Sequence, residues 1–456
     1  MASKQRKTTT WMKVRKFMND IHLWGGLISG LVVFIVCLTG TIYTYNTEIR
    51  AWAQPRYHHV KVEGEKQSPD QLLAKVKTEV KGKIVGIKVP FAADVPTNIL
   101  YTKKEEGKPE GKPTAARGEG KPSESKGVKE SDQAKPKGGS PEVAKGPAGK
   151  PGPAAGGPGG GRGPRANQLA VNPYSGQVIG DPSDEKTKIA DFMQKMFGLH
   201  RWLLLNEIEE PIFEGIENRK LGSLITGTAT LLFLLGVITG FVIWFPNKMR
   251  SWKNGLNIRW TANWKRLNHD LHNTLGFYSC IILFFMSVTG PFWSFEWYRA
   301  GWQKTWGTYK APDAPKEEKA KLESIVPAGD AKPLTVEETI LAVNKLLPYD
   351  GDITINFAKD STGTISVSKN RVGFFAPSAG DKLTLDQYSG EPLEKEIFRE
   401  KPFNERASAS IKALHIGDIY GPFSKLLYFI SCLIATSLPV TGVMIWINKM
   451  KKTNKK

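Results

Sequence analysis

Seven histidines stand in this chain: His22, His58, His59, His200, His269, His272 and His415. All but His58 and His59 sit at the ends of long apolar runs. One histidine at such a place is more often an interfacial side chain than a ligand. Five of them as a set carry more weight, because ionisable residues at membrane depth are costly and mostly functional. His22, His269 and His272 gather at one end of the runs, and His200 and His415 at the other. Facing helices of a bundle hold cofactors with inward-pointing ligands of this kind. A zinc ion usually takes four ligands, often with Cys or carboxylate among them, so two histidines per end suit it poorly. A six-coordinate haem needs only two axial imidazoles, and an apolar bundle supplies the rest of the pocket. The pattern points to two b-type haems stacked across a membrane, a device that moves electrons between its faces. Arg15, Arg201 and Arg266 lie near the histidines and are candidates to pair with haem propionates; topology and solubility explain them equally well.

The elements that must position these rings are the apolar runs themselves: Leu23 to Tyr45, Leu221 to Phe245, Leu275 to Phe295 and Phe423 to Ile447. The first three contain no Asp, Glu, Lys or Arg, and the fourth contains only Lys425. A bilayer core of about 30 Å takes roughly 20 apolar residues in a helix, and each run is that long. The mean hydropathy of −0.31 looks soluble only because a long Lys/Gly/Pro tract offsets the runs. At roughly 150 residues per domain, 456 residues suggest about three soluble domains; the runs exclude that reading. The first run is too long for a signal-peptide core, and Asn46-Thr47-Glu48 is a poor cleavage site, so it reads as an anchor. The net charge of +20 sits in the tract and at the membrane edges, which argues against nucleic-acid binding. Cys37, Cys280 and Cys432 each lie inside a run and read as buried thiols.

Lys and Arg cluster before the first run, between the second and third, and after the fourth. The positive-inside rule places those segments, and both termini, in the cytoplasm. The chain also repeats itself. His22 and His272 are each followed 17 residues later by Thr-Gly, at Thr39-Gly40 and Thr289-Gly290. Thr239-Gly240 and Thr441-Gly442 open matching Trp-containing ends of the second and fourth runs, and His200 and His415 precede those runs. Two halves of like topology imply a parallel repeat about an axis along the membrane normal. By that repeat His22 pairs with His272, and His200 with His415, while His269 lies on the same helical face as His272.

Each external connection reads as a small α+β module. Ser68 to Val80 and Thr335 to Leu347 read as helices; Ile84 to Val89, Ile353 to Phe357 and Ile365 to Ser368 read as strands. Gln168 to Ile179 and Lys382 to Leu393 read as hairpins around a shared Tyr-Ser-Gly, the glycine supplying positive φ. The tract 103–166 has almost no large apolar residue and reads as a disordered insertion. The resulting organisation is a cytoplasmic N-terminus (1–22), a span (23–45), an external module (46–200, interrupted at 103–166), a span (221–245), a cytoplasmic loop (246–274), a span (275–295), a second external module (299–414), a span (423–447) and a cytoplasmic tail (448–456). No Gly-x-Gly-x-x-Gly follows a strand and the cytoplasmic segments are short, so the electron donor is expected to be a quinol or another redox protein.

Asp20-Ile-His-Leu-Trp-Gly-Gly-Leu-Ile-Ser-Gly with Thr39-Gly40, the Tyr-Ser-Gly hairpins, and His269-Asp-Leu-His-Asn-Thr-Leu-Gly276 resemble the PepSY-associated transmembrane proteins. The resemblance covers nearly the whole chain except 103–166 and the tails. It implies a membrane α-helical bundle of four transmembrane helices with two extracytoplasmic PepSY-like α+β modules, in a bacterial inner membrane. Its best-understood members are similar to di-haem ferric-siderophore reductases tied to iron uptake. By that resemblance His22, His200, His272 and His415 are haem ligands and His269 an alternative ligand. The chain departs at its insertion and at Asn172, where Asp is expected; Asp386 keeps it.

The expectation is an oxidoreductase that passes electrons through two haems to a ferric chelate outside. His58 and His59 are candidate contacts for such a substrate, though a solvated loop pair is the plainer reading. The competing readings are a PepSY-type module that restrains or senses a peptidase, and a transporter component. The absence of charged residues at mid-helix speaks against the last.

Overall fold

The computed structural model describes residues 10–80, 82–103, 166–246, 252–253, 255–311, 321–329 and 331–453. Along the chain run α1 (Thr10–Thr44), α2 (Asn46–Ala53), α3 (Pro69–Val76), β1 (Gly82–Val89), β2 (Thr97–Lys103), β3 (Asn167–Val171) and β4 (Val178–Gly180). Then follow α4 (Lys188–Trp202), α5 (Asn218–Trp244), α6 (Trp264–Asp270), a π turn (Leu271–Leu275), α7 (Gly276–Thr289) and α8 (Glu296–Thr305). The rest is α9 (Val336–Leu346), β5 (Gly351–Asn356), β6 (Thr364–Arg371), β7 (Asp381–Asp386), β8 (Pro392–Glu396), α10 (Phe403–Ala409), α11 (Ile411–Ile416) and α12 (Gly421–Thr453).

Four helices among the described residues are long and apolar enough to cross a membrane: Thr10–Thr44, Asn218–Trp244, Trp264–Trp293 and Gly421–Lys451. The chain is a multi-pass membrane protein. Ile28, Leu31, Ile281 and Leu433 point outward from these helices, which is stable only where lipid covers them. The spans exceed the apolar runs. The third starts at Trp264 rather than in the 270s, because α6 and the π turn continue straight into α7. His269 and His272 therefore lie within a helix, not on a loop before one. Lys425, the one charge in the fourth run, meets the Glu48 carboxylate at 2.5 and 2.7 Å, so it enters the bundle paired.

The strands form one sheet of eight, antiparallel throughout, in the order β4-β3-β2-β1-β5-β6-β7-β8. This differs from two separate modules: β1 of the first half pairs with β5 of the second, Ile87 opposite Ile355. One face buries Ile87, Ile99, Val171, Ile355, Val367, Leu383 and Leu385 against Leu72 and Val76 of α3 and Val343 of α9. Full burial of such a side chain contributes about 1.5–3 kcal/mol. Both helices open with capping boxes, Ser68/Gln71 and Thr335/Glu338. Asp70 of α3 also accepts the Val336 and Glu337 N–H groups at 3.0 Å each, so one half caps the helix of the other.

The two hairpins turn on glycines in the left-handed region, Gly176 (φ 74°) and Gly390 (φ 72°). Asn172 accepts the backbone N–H groups of Tyr174 and Ser175 at 2.9 and 3.3 Å. Asp386 accepts those of Tyr388 and Ser389 at 2.8 and 2.9 Å and, through its other oxygen, that of Ile325 at 2.7 Å. The tract 103–166, expected to be disordered, lies outside the described residues save its first and last. Tyr101 pairs with Asn167, so the connection leaves and re-enters the sheet at adjacent strand ends.

Candidate functional site

His22 stands on α1 and His272 in the π turn Leu271–Leu275, with ring centroids 6.1 Å apart and planes at 88°. A π turn adds one residue to the helical turn and frequently marks a functional site. His22 Nδ1 donates to the Gly236 carbonyl at 3.0 Å and lies 3.2 Å from Thr239 Oγ1, both on α5. His272 Nδ1 lies 2.8 Å from Thr441 Oγ1 on α12.

The second pair is His200, near the end of α4, and His415 on α11, with centroids 6.3 Å apart. His200 Nδ1 donates to the Val36 carbonyl at 2.9 Å, with Thr39 Oγ1 at 3.4 Å. His415 Nδ1 donates to the Met286 carbonyl at 3.2 Å, with Thr289 Oγ1 at 3.1 Å. Trp293 packs against His415 at 5.0 Å. Burial lowers the His200 pKa, and Arg201 adds to that against the Val36 carbonyl. Burial first, then His200 and Arg201, push that of His415 down to about 3. Both outer rings are neutral at physiological pH.

Each of the four spans thus contributes a Thr-Gly dipeptide that backs one ring; a further one in the second span, Thr226-Gly227, packs instead against Ser294 and Phe295. The threonine hydroxyls donate to carbonyls of their own helices: Thr39 to Ile35, Thr239 to Leu235, Thr289 to Phe285 and Thr441 to Ser437. A hydroxyl has one proton, so its oxygen is left to accept from the imidazole. A carbonyl can only accept. Each ring is thereby fixed as the Nδ1–H tautomer with the Nε2 lone pair free, the arrangement that orients a metal-ligating histidine. The glycines make room: a Cβ at Gly40 or Gly240 would sit 3.1 Å from Cε1 of His200 or His22, and at Gly290 or Gly442 3.5 or 3.4 Å from Cε1 of His415 or His272.

The separations suit a single atom held from opposite sides. An imidazole nitrogen lies about 1.1 Å from its ring centroid and a metal–imidazole bond is about 2.0–2.1 Å. Two rings on one metal atom therefore have centroids about 6.2–6.4 Å apart, against 6.1 and 6.3 Å here. Among the described residues no group of three or more His, Cys, Asp or Glu is placed to hold an ion. Bare pairs of neutral imidazoles fit a group that brings its own equatorial donors. Beside the inner pair runs a cleft of about 280 Å³, lined by Gly26, Gly30, Gly236, Gly240, Gly276 and Gly442 and by apolar side chains. Glycines on every wall leave space for a flat ring system. At 1.5 Å per residue the two pairs lie about 25 Å apart along α1.

A family model described as the PepSY-associated TM region matches residues 20–449. The chain belongs to the PepSY-associated TM region family. The match spans both histidine pairs and the four Thr-Gly dipeptides that back them. No curated protein matches the chain.

In the sequence of this PepSY-associated TM region protein the Thr-Gly dipeptides read only as markers of a repeat. Their recurrence in every apolar run was the signal that they hold something. His269 lines the inner cleft together with His272; its side chain is half exposed and its Nδ1 lies 3.6 Å from the Asp270 carboxylate. His59 meets Asp94 at 3.0 Å on the surface, and His58 follows a short 3₁₀ turn; neither joins the two pairs. Arg266 binds the buried Asp270 carboxylate at 2.8 Å through Nε. Arg15 donates to the Ile243 carbonyl at 2.7 Å. Arg201 lies beside the outer pair, its guanidinium over the Phe197 and Trp202 rings.

Proposed function

We propose that this protein is a di-haem electron-transfer protein of the bacterial inner membrane that reduces ferric chelates, ferric siderophores among them, outside the cytoplasm for iron acquisition. The observation that carries the reading is the spacing of two histidine pairs, 6.1 and 6.3 Å between centroids, with every Nδ1 committed as donor. His22 and His272 would hold one haem b and His200 and His415 the other. Bound there, haem supplies a one-electron couple at each end of the bundle. The chain's own residues do the rest. Thr and carbonyl acceptors hold the ligands in one tautomer, glycines admit the ring, and apolar walls exclude water.

The orientation follows the lysines and arginines at 10–16, 252–266 and 449–453, which favour the cytoplasm at the inner end. The sheet, read as two PepSY modules of a parallel duplication, then lies outside. A quinol or a redox protein would supply electrons from the membrane or the inner face. Each quinol oxidised to quinone gives up two electrons and two protons, enough for two ferric centres. Reduction takes Fe(III) to Fe(II), which hard oxygen donors hold less well. The substrate need not enter the bundle.

The test starts with the visible spectrum of protein purified from haem-replete cells. Dithionite is expected to bring up b-type α and Soret bands, and pyridine haemochrome to report two haems per chain. Reduced protein mixed with ferric citrate is expected to reoxidise rapidly, with Fe(II) trapped by ferrozine. A colourless protein sinks the reading. Haem that stays reduced with every ferric complex, yet reoxidises with a quinone, makes the protein a membrane electron shuttle instead.

A further inference from the structure

We propose that Arg201, Arg219 and Arg299 form a carboxylate-binding site beside the outer histidine pair. It would take either the carboxylates of the group held by that pair or those of an anionic chelate. The proposal rests on the haem reading only for the first of these sources.

Three guanidinium groups gather here from three elements. Arg201 follows His200 on α4, and its carbonyl is anchored by the Thr226 hydroxyl at 2.9 Å. Arg201 and Arg219 share the ring of Trp202, at 5.2 and 4.3 Å from its centroid. Arg299 on α8 lies 5.3 Å from the buried Phe292 ring and donates to its carbonyl at 3.4 Å. Arg219 and Arg299 both lie within electrostatic reach of the Arg201 guanidinium. Among the described residues none of the three pairs with a carboxylate, although Glu207, Glu209, Glu210 and Glu214 stand in the loop between α4 and α5. Like charges held together raise the energy of the folded state, and an anion between them reverses the sign.

A second observation points the same way. Arg299, Trp302 and Trp306 follow one another at intervals of three and four, so they lie along one face of α8 and its C-cap. The indole N–H groups of Trp302 and Trp306 are buried without an acceptor, and so is Nε of Arg406 on α10, the helix whose Phe403 packs on Trp306. A buried donor left unpaired costs about 1–3 kcal/mol. Three of them on and against the helix that carries Arg299 call for an oxygen-rich ligand. The guanidinium fork matches a carboxylate in two parallel hydrogen bonds, which an ammonium cannot reproduce.

The experiment compares the purified holoprotein with Arg219→Gln, Arg299→Gln and Arg299→Lys. One arm is an equilibrium redox titration of both haems. The other is calorimetric binding of gallium(III) citrate, a redox-inert stand-in for ferric citrate. If the site holds the haem's own carboxylates, one haem shifts toward its oxidised form by about tenfold, about 59 mV for one electron. Lysine, which keeps the charge but not the fork, would restore it only in part, and citrate binding would be unchanged. If the site holds the chelate, gallium citrate binding weakens tenfold or more in both Gln variants while both potentials stay put. Unchanged potentials together with unchanged citrate binding overturn the proposal. A protein that purifies without haem defeats the haem reading, not this one; the gallium citrate arm then decides alone.

Discussion

At the inner pair both rings stand on membrane-spanning helices, His22 on α1 and His272 in the π turn of the third span. At the outer pair both stand on short helices, α4 and α11, that fold back from the sheet side onto the bundle. The cradles are nonetheless the same: a Thr-Gly dipeptide from a span, with the threonine oxygen toward Nδ1 and the glycine under the ring. The inner rings belong to the scaffold, and the outer rings are delivered to it by connections. One cradle can therefore serve a histidine from either source, provided the span supplies the acceptor and the space. Among the described residues the outer pair adds a set of arginines without a carboxylate partner and a tryptophan against the ring.

The largest expected effect separates the pairs outright. His415→Ala is expected to lower haem content from two per chain to one, leaving the inner haem's spectrum in place. His22→Ala is expected to do the converse. Loss of both haems from either variant would mean that the pairs are not independent, and loss of neither would mean that they are not the ligands.

A smaller effect separates the cradles. Thr441 Oγ1 lies 2.8 Å from His272 Nδ1, with the Leu438 carbonyl as a second partner, whereas His200 relies on the Val36 carbonyl at 2.9 Å with Thr39 more distant at 3.4 Å. Removing such a partner typically costs about 10–100-fold in metal affinity. Thr441→Val is expected to weaken retention of the inner haem by about tenfold, measured by haem transfer to apomyoglobin, while Thr39→Val leaves the outer haem nearly unchanged. Equal losses would show that the two cradles carry the same share.

The smallest effect concerns the sheet, where the halves differ at one turn residue. Burial raises the Asp386 carboxyl, but the N–H groups of Ser389, Ile325 and Tyr388 together outweigh it and hold its pKa below the ordinary carboxylate value of 3.8. A lowered folded-state pKa contributes stability that is complete above the unfolded value and lost as pH falls through the folded one. Thermal melts are expected to weaken below about pH 4, and Asp386→Asn to flatten that dependence. Asn172, neutral in the matching turn, does not titrate; Asn172→Asp should steepen the dependence. Identical profiles for all three proteins would remove Asp386 from the account.

Much of this was legible in the sequence. Four uncharged or nearly uncharged runs give four spans, and Tyr-Ser-Gly gives both hairpin turns. What escaped has physical reasons. β2 abuts the Gly/Pro/Lys tract, whose composition masked the alternation of Thr97 to Lys103. The start of the third span escaped because Lys265, Arg266 and Asp270 break the apolar pattern while Arg266 and Asp270 neutralise each other. The merging of two modules into one sheet depends on β1 meeting β5 across more than 260 residues, and no local pattern encodes that. The histidines were visible as types and spacings. Their acceptors were visible only as a repeated dipeptide, since each Thr-Gly serves a ring on a different element.

The β1–β5 seam has a mechanical consequence. Each histidine pair draws one ring from the first half of the chain and one from the second. The seam, with Asp70 capping α9, bolts those halves together at one end of the bundle. A molecule that worked by rocking its halves apart would have to tear this sheet and pull both pairs open with it. A molecule whose parts must keep a fixed spacing while only an electron moves gains from such stiffness, like a fork held true by the bar across its tines.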